Sequence, residues 1–130
     1  MQQPYFAISA VLGTVLIFVT PASPHHSNVA FEVTKVMTVT GLIKEFRWGN
    51  PHTWLSMIVD DGKGGKVEWA MEGRAPGVLL RSGWTRTSVK VGDTITVDFS
   101  PAKDGTKFGL IARVTKADGT ILANAPPPTE

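Results

Sequence analysis

Apolar and polar residues alternate with the two-residue period of β-strands along most of the chain after residue 35. In the first such segment, residues 36–48, the apolar positions change from odd to even numbers near Lys44-Glu45. A β-bulge changes the inward face of a strand in this way, because it adds one residue. Gly41 lies inside the same segment, where a glycine permits a sharp bend. We therefore predict a long, bent first strand that serves two sides of a small barrel.

Further strands follow, and they are separated by turn-forming residues such as Gly49-Asn50-Pro51. A nearly continuous apolar run predicts a strand at residues 53–59. Alternation predicts strands at residues 66–73, 94–99 and 108–115, and the turn at residues 117–119 allows a short final hairpin to residues 121–122. In the last long strand we expect one face to carry the apolar residues Phe108, Leu110, Ala112 and Val114. A short helix is predicted between Pro76, which suits a first helical position, and Gly83, which suits a helix end.

The order of these elements is three strands, a short helix and two more strands. This is the element order of the OB-fold, a five-stranded, partly open Greek-key barrel, and the chain is therefore predicted to be all-β. Another small sandwich or barrel is the alternative fold. We predict an N-terminal arm at residues 23–35, an OB-like barrel at residues 36–123, and an extended, disordered, Pro-rich tail at residues 124–130.

The first 24 residues carry no charge, and residues 5–19 are almost entirely apolar. A run of this length is typical of the core of a signal peptide, whereas a membrane span needs about 20 residues. We predict a signal helix at residues 1–22, removed by cleavage after Ala22 or, as a second possibility, after Ser23. The protein is then periplasmic or secreted, and only an uncleaved leader would attach it to the membrane. An uncleaved anchor and a buried core helix are the alternatives.

Composition excludes several classes of function. The chain has 130 residues, with 13 basic and 11 acidic residues mixed along it, and this pattern does not favour nucleic-acid binding. The absence of cysteine excludes disulfides, thiolate metal sites and thiol catalysis. The sequence contains no Gly-x-Ser-x-Gly elbow and no glycine-rich phosphate loop, and its carboxylates are not paired in one apolar setting, which acid–base catalysis would favour. We therefore predict that the protein is not an enzyme.

The three histidines of the chain are candidate metal ligands. If the mature chain begins at Pro24, the free amine, two backbone nitrogens and a third-position imidazole form a square-planar set that suits Cu(II) or Ni(II). In another arrangement, His52 joins His25 and His26, and three imidazoles hold zinc or copper with one position open. The alternative is a flexible polar N-terminus whose histidines bind nothing specific.

Aromatic and polar residues around the first turn and the helix are candidate contacts for a small ligand. The predicted ligand-binding residues are Trp48, Asn50, His52, Trp54, Arg81 and Trp84. A structural role is the alternative for each of them. Asn50-Pro51 forms a turn in any case, Trp84 would pack the helix onto the barrel, and Arg81 would form a salt bridge with Glu72. Trp69 alternates with other inward-facing residues and is predicted to lie in the core.

Several short motifs together resemble a family of exported bacterial proteins, mainly from proteobacteria, that is known only as a domain of unknown function. The motifs are His25-His26-Ser27, Thr40-Gly41, Trp48-x-Asn50-Pro51-His52-x-Trp54, Val67-x-Trp69-x-x-Glu72, Leu79-Leu80-Arg81-x-Gly83-Trp84, Gly92-Asp93 and Lys103-Asp104-Gly105. The resemblance covers about residues 25–123. Members of that family usually carry alanine before the histidine pair, whereas this chain has Pro24. The resemblance implies export and an OB-like barrel, and it brings no established activity.

We therefore predict an exported binding module for a small ligand or a metal ion, with His52 at its site and His25 and His26 contributing. The alternative is a non-catalytic structural or interaction module whose partner is another protein of the cell envelope.

Overall fold

The computed structural model describes residues 30–125 of the chain. Within them, six strands and one helix are connected by turns and loops. The elements are β1 (Met37–Arg47), β2 (Trp54–Asp60), β3 (Lys66–Glu72), α1 (Pro76–Arg81), β4 (Thr94–Pro101), β5 (Phe108–Lys116) and β6 (Ile121–Ala123). No helix within residues 30–125 is long and apolar enough to cross a membrane. The predicted signal peptide, the histidines His25 and His26, and most of the predicted tail lie outside the described residues.

The strands form a closed barrel with the predicted topology. Neighbouring strands follow the order β3-β2-β1-β4-β5-β6, and β3 also pairs with β5 in parallel, which closes the ring of the first five strands. The single helix lies between β3 and β4. The prediction of an OB-like five-stranded barrel is therefore confirmed. The short final hairpin is present as well, because β6 pairs with β5 outside the closed ring.

The predicted bulge in β1 is confirmed at Lys44. Ile43 lies opposite Met57, but the next pair joins Glu45 to Ser56, so Lys44 has no counterpart on β2. This extra residue lets β1 pair with β4 along its first half and with β2 along its second half. Gly41 lies where the backbone of β2 comes very close, since a Cβ atom at this position would lie 2.2 Å from the carbonyl oxygen of Ile58.

The prediction that Phe108, Leu110, Ala112 and Val114 share one face of β5 is wrong, because only Val114 among them is buried. Phe99 of β4 pairs with Ile111, while the preceding residue Asp98 pairs with Arg113, so Ala112 is an additional residue in β5. The buried residues of β5 are Gly109, Ile111 and Val114, whereas Ala112 is exposed and Phe108 and Leu110 are half-buried. Gly109 belongs to the inner face because the ring of Phe99 occupies the space of a side chain, 2.2 Å from where its Cβ would lie.

The core contains two of the four tryptophans. Trp69 is buried against Phe99, with ring centroids 4.9 Å apart, as the alternation of β3 predicts. Trp84 follows α1 and is 2% exposed, and its indole Nε1 donates a hydrogen bond of 2.7 Å to the carbonyl oxygen of Ala123. It therefore fastens the end of the helix segment to β6. Pro76 begins α1, and Gly83, with φ of +87°, ends the helical turn before Trp84.

The arm that precedes β1 is attached to the barrel. Glu32 donates its amide hydrogen to Pro101, and Lys103 donates to the carbonyl of Ala30, both at 2.9 Å. Phe31, between them, is buried and packs against Phe108 with a centroid distance of 5.2 Å. The arm therefore lies beside the end of β4 and the beginning of β5. Val33, two residues after Phe31, lines a groove on the barrel surface.

Candidate functional site

A groove of about 560 Å³ lies where the β1–β2 turn, the end of β3, the start of α1 and the end of β6 meet. Its lining combines polar and apolar side chains, including Val33, His52, Glu72, Val78, Leu110 and Asn124. A volume of several hundred Å³ with a few convergent polar groups on apolar walls is typical of small-ligand sites. This groove is therefore the candidate functional site.

His52 is held at the groove by acceptors on one of its ring nitrogens. The turn formed by Asn50 and Pro51, which are joined by a cis peptide bond, places it just before β2. Nδ1 donates a hydrogen bond of 3.3 Å to the carbonyl oxygen of Gly73 and lies 3.1 Å from Oε1 of Glu72. Because both neighbours are acceptors, the proton of the neutral ring belongs on Nδ1. The other nitrogen, Nε2, then keeps its lone pair, and the side chain remains 34% exposed.

Glu72 is the last residue of β3 and is only 7% exposed. In register it lies between Trp54 of β2 and Leu110 of β5, so its neighbours across both strands are largely apolar. Burial raises the pKa of Glu72 above its ordinary value, and the nearby His52 opposes this rise by favouring the charged carboxylate. The site therefore holds a carboxylate in a setting that disfavours its charge, with an imidazole as its close polar neighbour.

The backbone under His52 is fixed by hydrogen bonds that continue the β2–β3 ladder. The Thr53 amide donates to the carbonyl of Arg74 at 3.1 Å, and the Gly73 amide donates to the carbonyl of Thr53 at 2.8 Å. The amide of Arg74 donates at 3.0 Å to Oδ1 of Asn124, a buried residue just after β6. The segment of Gly73 and Arg74 is thus held by Thr53 and by Asn124, and this fixes the Gly73 carbonyl that faces His52.

The other five predicted ligand-binding residues are not part of the groove lining. Asn50 is exposed in the turn, Arg81 is exposed on α1, and Trp84 is buried beneath the helix segment. Trp48 is half-buried beside Phe46, with ring centroids 6.1 Å apart. Among the six, His52 lines the groove.

The ring of Trp54 lies against side chains of two other strands. Its ring stacks on Phe108 with a centroid distance of 5.5 Å and an interplanar angle of 13°. The guanidinium carbon of Arg47 lies 6.0 Å from the centroid of the same ring. The half-buried ring therefore links β1, β2 and β5.

The predicted salt bridge between Glu72 and Arg81 is wrong. Within residues 30–125, the ionisable side chain within ion-pair distance of Glu72 is His52. Sequence reasoning also missed Asn124 as a groove residue. Glu72 has the same parity along β3 as the exposed Lys66 and Glu68, and no local feature of the sequence distinguishes it from a solvent-exposed glutamate.

The site can supply one well-oriented imidazole nitrogen to a ligand. Within residues 30–125, no group of three or more histidine, aspartate or glutamate side chains is arranged to hold a metal ion. His52 would therefore serve as a single ligand or hydrogen-bond acceptor, with Glu72 behind it as the acceptor of the opposite ring N–H. Any additional protein ligands would have to come from residues outside this range.

Comparison with known proteins gives one family. A protein-family model described as a family of unknown function (DUF6152) matches residues 14–113, which include β1 to β4 and the first part of β5. A search of the curated proteins gave no match. Asn124 and β6 lie beyond the matched residues.

Proposed function

Because the chain belongs to DUF6152, a family of unknown function, we propose a function from the groove itself: a non-catalytic, exported module that binds a transition-metal ion through His52. The observation that carries this proposal is the position of Nδ1 of His52, close to both Gly73 O and Glu72 Oε1. Histidines that bind metal ions almost always donate the other ring N–H to a carboxylate or carbonyl, which fixes the ring and makes the ligating nitrogen more basic. His52 has both kinds of acceptor.

His25 and His26 are proposed as the remaining protein ligands. They precede Phe31, whose ring is linked to that of Trp54 through Phe108 by centroid distances of 5.2 and 5.5 Å. Trp54 lies two residues after His52, so the arm is anchored close to the groove. Five residues of extended chain span about 17 Å, and this length allows His26 to reach His52. Three imidazoles with an open position suit zinc or copper.

A small organic ligand is a second candidate, and the size of the groove favours it. About 560 Å³ is far more than one metal ion occupies, and Val33, Val78 and Leu110 provide apolar walls. Such a ligand would place a hydrogen-bond donor on Nε2 of His52 or bind at the open position of a bound metal. Export to the periplasm or the medium belongs to the same proposal and is supported by the uncharged first 24 residues and the apolar run at residues 5–19 within them.

Metal analysis of the mature protein, isolated from the periplasm without an affinity tag, tests the main proposal. We expect about one zinc or copper ion per chain, lost in His52→Ala and strongly reduced when His25 and His26 are both replaced by alanine. Arg81→Ala is the matched control, because Arg81 is exposed and does not line the groove. N-terminal sequencing of the same sample identifies the first mature residue.

Two results contradict the metal proposal. One is a protein without stoichiometric zinc or copper after exposure to either ion. The other is a metal content that His52→Ala leaves unchanged, since the ion would then be held by the N-terminal residues alone. A protein that binds no metal but shows a groove-specific response to a small organic compound, lost in His52→Ala, would favour the second candidate.

A further inference from the structure

Asn124 connects two parts of the barrel that are distant in sequence. It is 6% exposed and lies just after β6. Its amide donates a 3.0 Å hydrogen bond to the carbonyl of Ala112, which fixes its backbone on β5. Its side-chain Oδ1 accepts a 3.0 Å hydrogen bond from the amide of Arg74, 50 residues earlier in the chain. The side chain of Asn124 therefore holds the segment that leaves β3.

This segment carries one of the two acceptors that lie on Nδ1 of His52, and the other acceptor, Glu72, comes directly before it in the chain. Arg74 follows Gly73, and the Gly73 carbonyl accepts the Nδ1 proton of His52 at 3.3 Å. Two backbone bonds to Thr53, at 2.8 and 3.1 Å, hold the segment against β2, and the bond to Asn124 is its attachment on the opposite side. A buried amide without an acceptor is costly, so a chain that lacks the Asn124 oxygen would shift to satisfy Arg74 in another way. That shift would move the Gly73 carbonyl.

We infer that Asn124 is a positioning residue for the imidazole of His52, and that it keeps the ring in the tautomer with the proton on Nδ1. The inference rests on the proposed function only where it concerns metal binding; the tautomer is a property of the free protein. Loss of the Asn124 acceptor weakens the restraint on Gly73 and on Glu72, the residue before it, so that both acceptors on Nδ1 move and the ring can populate the tautomer with the proton on Nε2. In that tautomer the lone pair is on Nδ1, and Nε2 has none to offer to a ligand in the groove.

Two substitutions of similar side-chain size separate hydrogen bonding from packing. Asn124→Leu fills nearly the same volume but cannot accept from Arg74, whereas Asn124→Asp keeps an oxygen at the Oδ1 position. The readout is ¹⁵N NMR of the His52 ring in the metal-free protein, at a pH above the ordinary titration range of imidazoles. We expect the wild type and Asn124→Asp to show the Nδ1–H form and Asn124→Leu to show a mixture. A purely structural role would not change the tautomer.

Zinc affinity, measured by competition with a chelating dye, gives the functional consequence. We expect Asn124→Leu to bind zinc on the order of tenfold more weakly, the lower end of what outer-shell substitutions cost, and Asn124→Asp to stay close to the wild type. Failure of the wild type to bind zinc contradicts the proposed function, whereas the tautomer comparison still decides the role of Asn124.

The inference is overturned if Asn124→Leu keeps the wild-type tautomer, or if Asn124→Asp and Asn124→Leu change it equally. Should Asn124→Leu fail to fold, hydrogen exchange of the Arg74 amide in the wild-type protein decides. Slow exchange supports a hydrogen bond to the buried Asn124 oxygen, and exchange at the rate of an unstructured amide overturns the inference.

Discussion

Thr53, the residue after His52, carries a hydroxyl group that makes no hydrogen bond with any group in residues 30–125, although the residue is only 1% exposed. Its backbone amide and carbonyl bond to Arg74 and Gly73, so the backbone is satisfied and only the side-chain oxygen is left over. Valine has the same β-branched shape and places a methyl group where the hydroxyl lies. We expect Thr53→Val to stabilise the fold.

The magnitude follows from two contributions. A buried polar group without a partner costs about 1–3 kcal/mol, and this cost disappears with the hydroxyl. Burying the new methyl group adds about 0.8 kcal/mol. Relaxation of the wild-type site reduces both effects, so we expect a gain of about 1–2 kcal/mol. For a domain of this size, 1 kcal/mol raises the Tm by about 4–8 °C.

Denaturation in urea, followed by tryptophan fluorescence, measures this gain as a higher midpoint with an unchanged slope. Thr53→Ser is the matched control: it keeps the hydroxyl and loses the methyl group, so it should destabilise the protein by about 1 kcal/mol. A lower midpoint for Thr53→Val together with an unchanged midpoint for Thr53→Ser would refute the reasoning, because the hydroxyl would then have a partner, such as a bound water molecule.

Further predictions concern the charge of Glu72 and two glycines. Burial raises the pKa of Glu72 above its ordinary value of 4.5. The contribution of this group to the free energy of unfolding is therefore fully present below pH 4.5 and is lost as the pH rises through the raised pKa. Glu72→Gln should remove this loss. The urea midpoint of the variant minus that of the wild type should therefore be larger at about pH 7 than at about pH 4. An equal difference at the two pH values would contradict this prediction. Gly109→Ala should destabilise the fold by about 1–3 kcal/mol, because its Cβ would lie 2.2 Å from the buried ring of Phe99. Gly77→Ala on α1, where nothing lies within 4 Å, should instead stabilise it by up to about 1 kcal/mol, and equal urea midpoints for the two variants would exclude this account.

The closed barrel could be predicted because side-chain alternation records which face of each strand is buried. The change of parity at Lys44 is a local feature of the sequence, and a bulge is its direct structural equivalent. Trp69 could be assigned to the core for the same reason, because it has the same parity as Val67 and Met71 on the inward face of β3.

The face of β5 could not be predicted from the same kind of pattern. Gly109 has no side chain and gives no hydrophobic signal, yet it belongs to the inner face because Phe99 occupies its space. Ala112 is apolar, so alternation places it on the same face as Val114. In the structure it is instead the additional, exposed residue at a second irregularity of the sheet.

The candidate site was only partly predictable because its members meet through long-range contacts. His52 could be singled out from its turn and from the small number of histidines. Glu72 follows the outward alternation of β3, and it is buried because other parts of the chain surround it. Asn124 bonds to a residue 50 positions away, and no spacing rule connects the two.

The groove lies between Val33, near the beginning of the described chain, and Ala125, at its end. A fluorescent protein or a polyhistidine tag joined close to Val33 or Ala125 would obstruct the groove. The imidazoles of the tag would also compete with His52 for a metal ion. The turn at residues 61–65 lies at the other end of the seven-residue strand β2, about 20 Å from His52. A label inserted in that turn would leave the groove accessible for binding measurements.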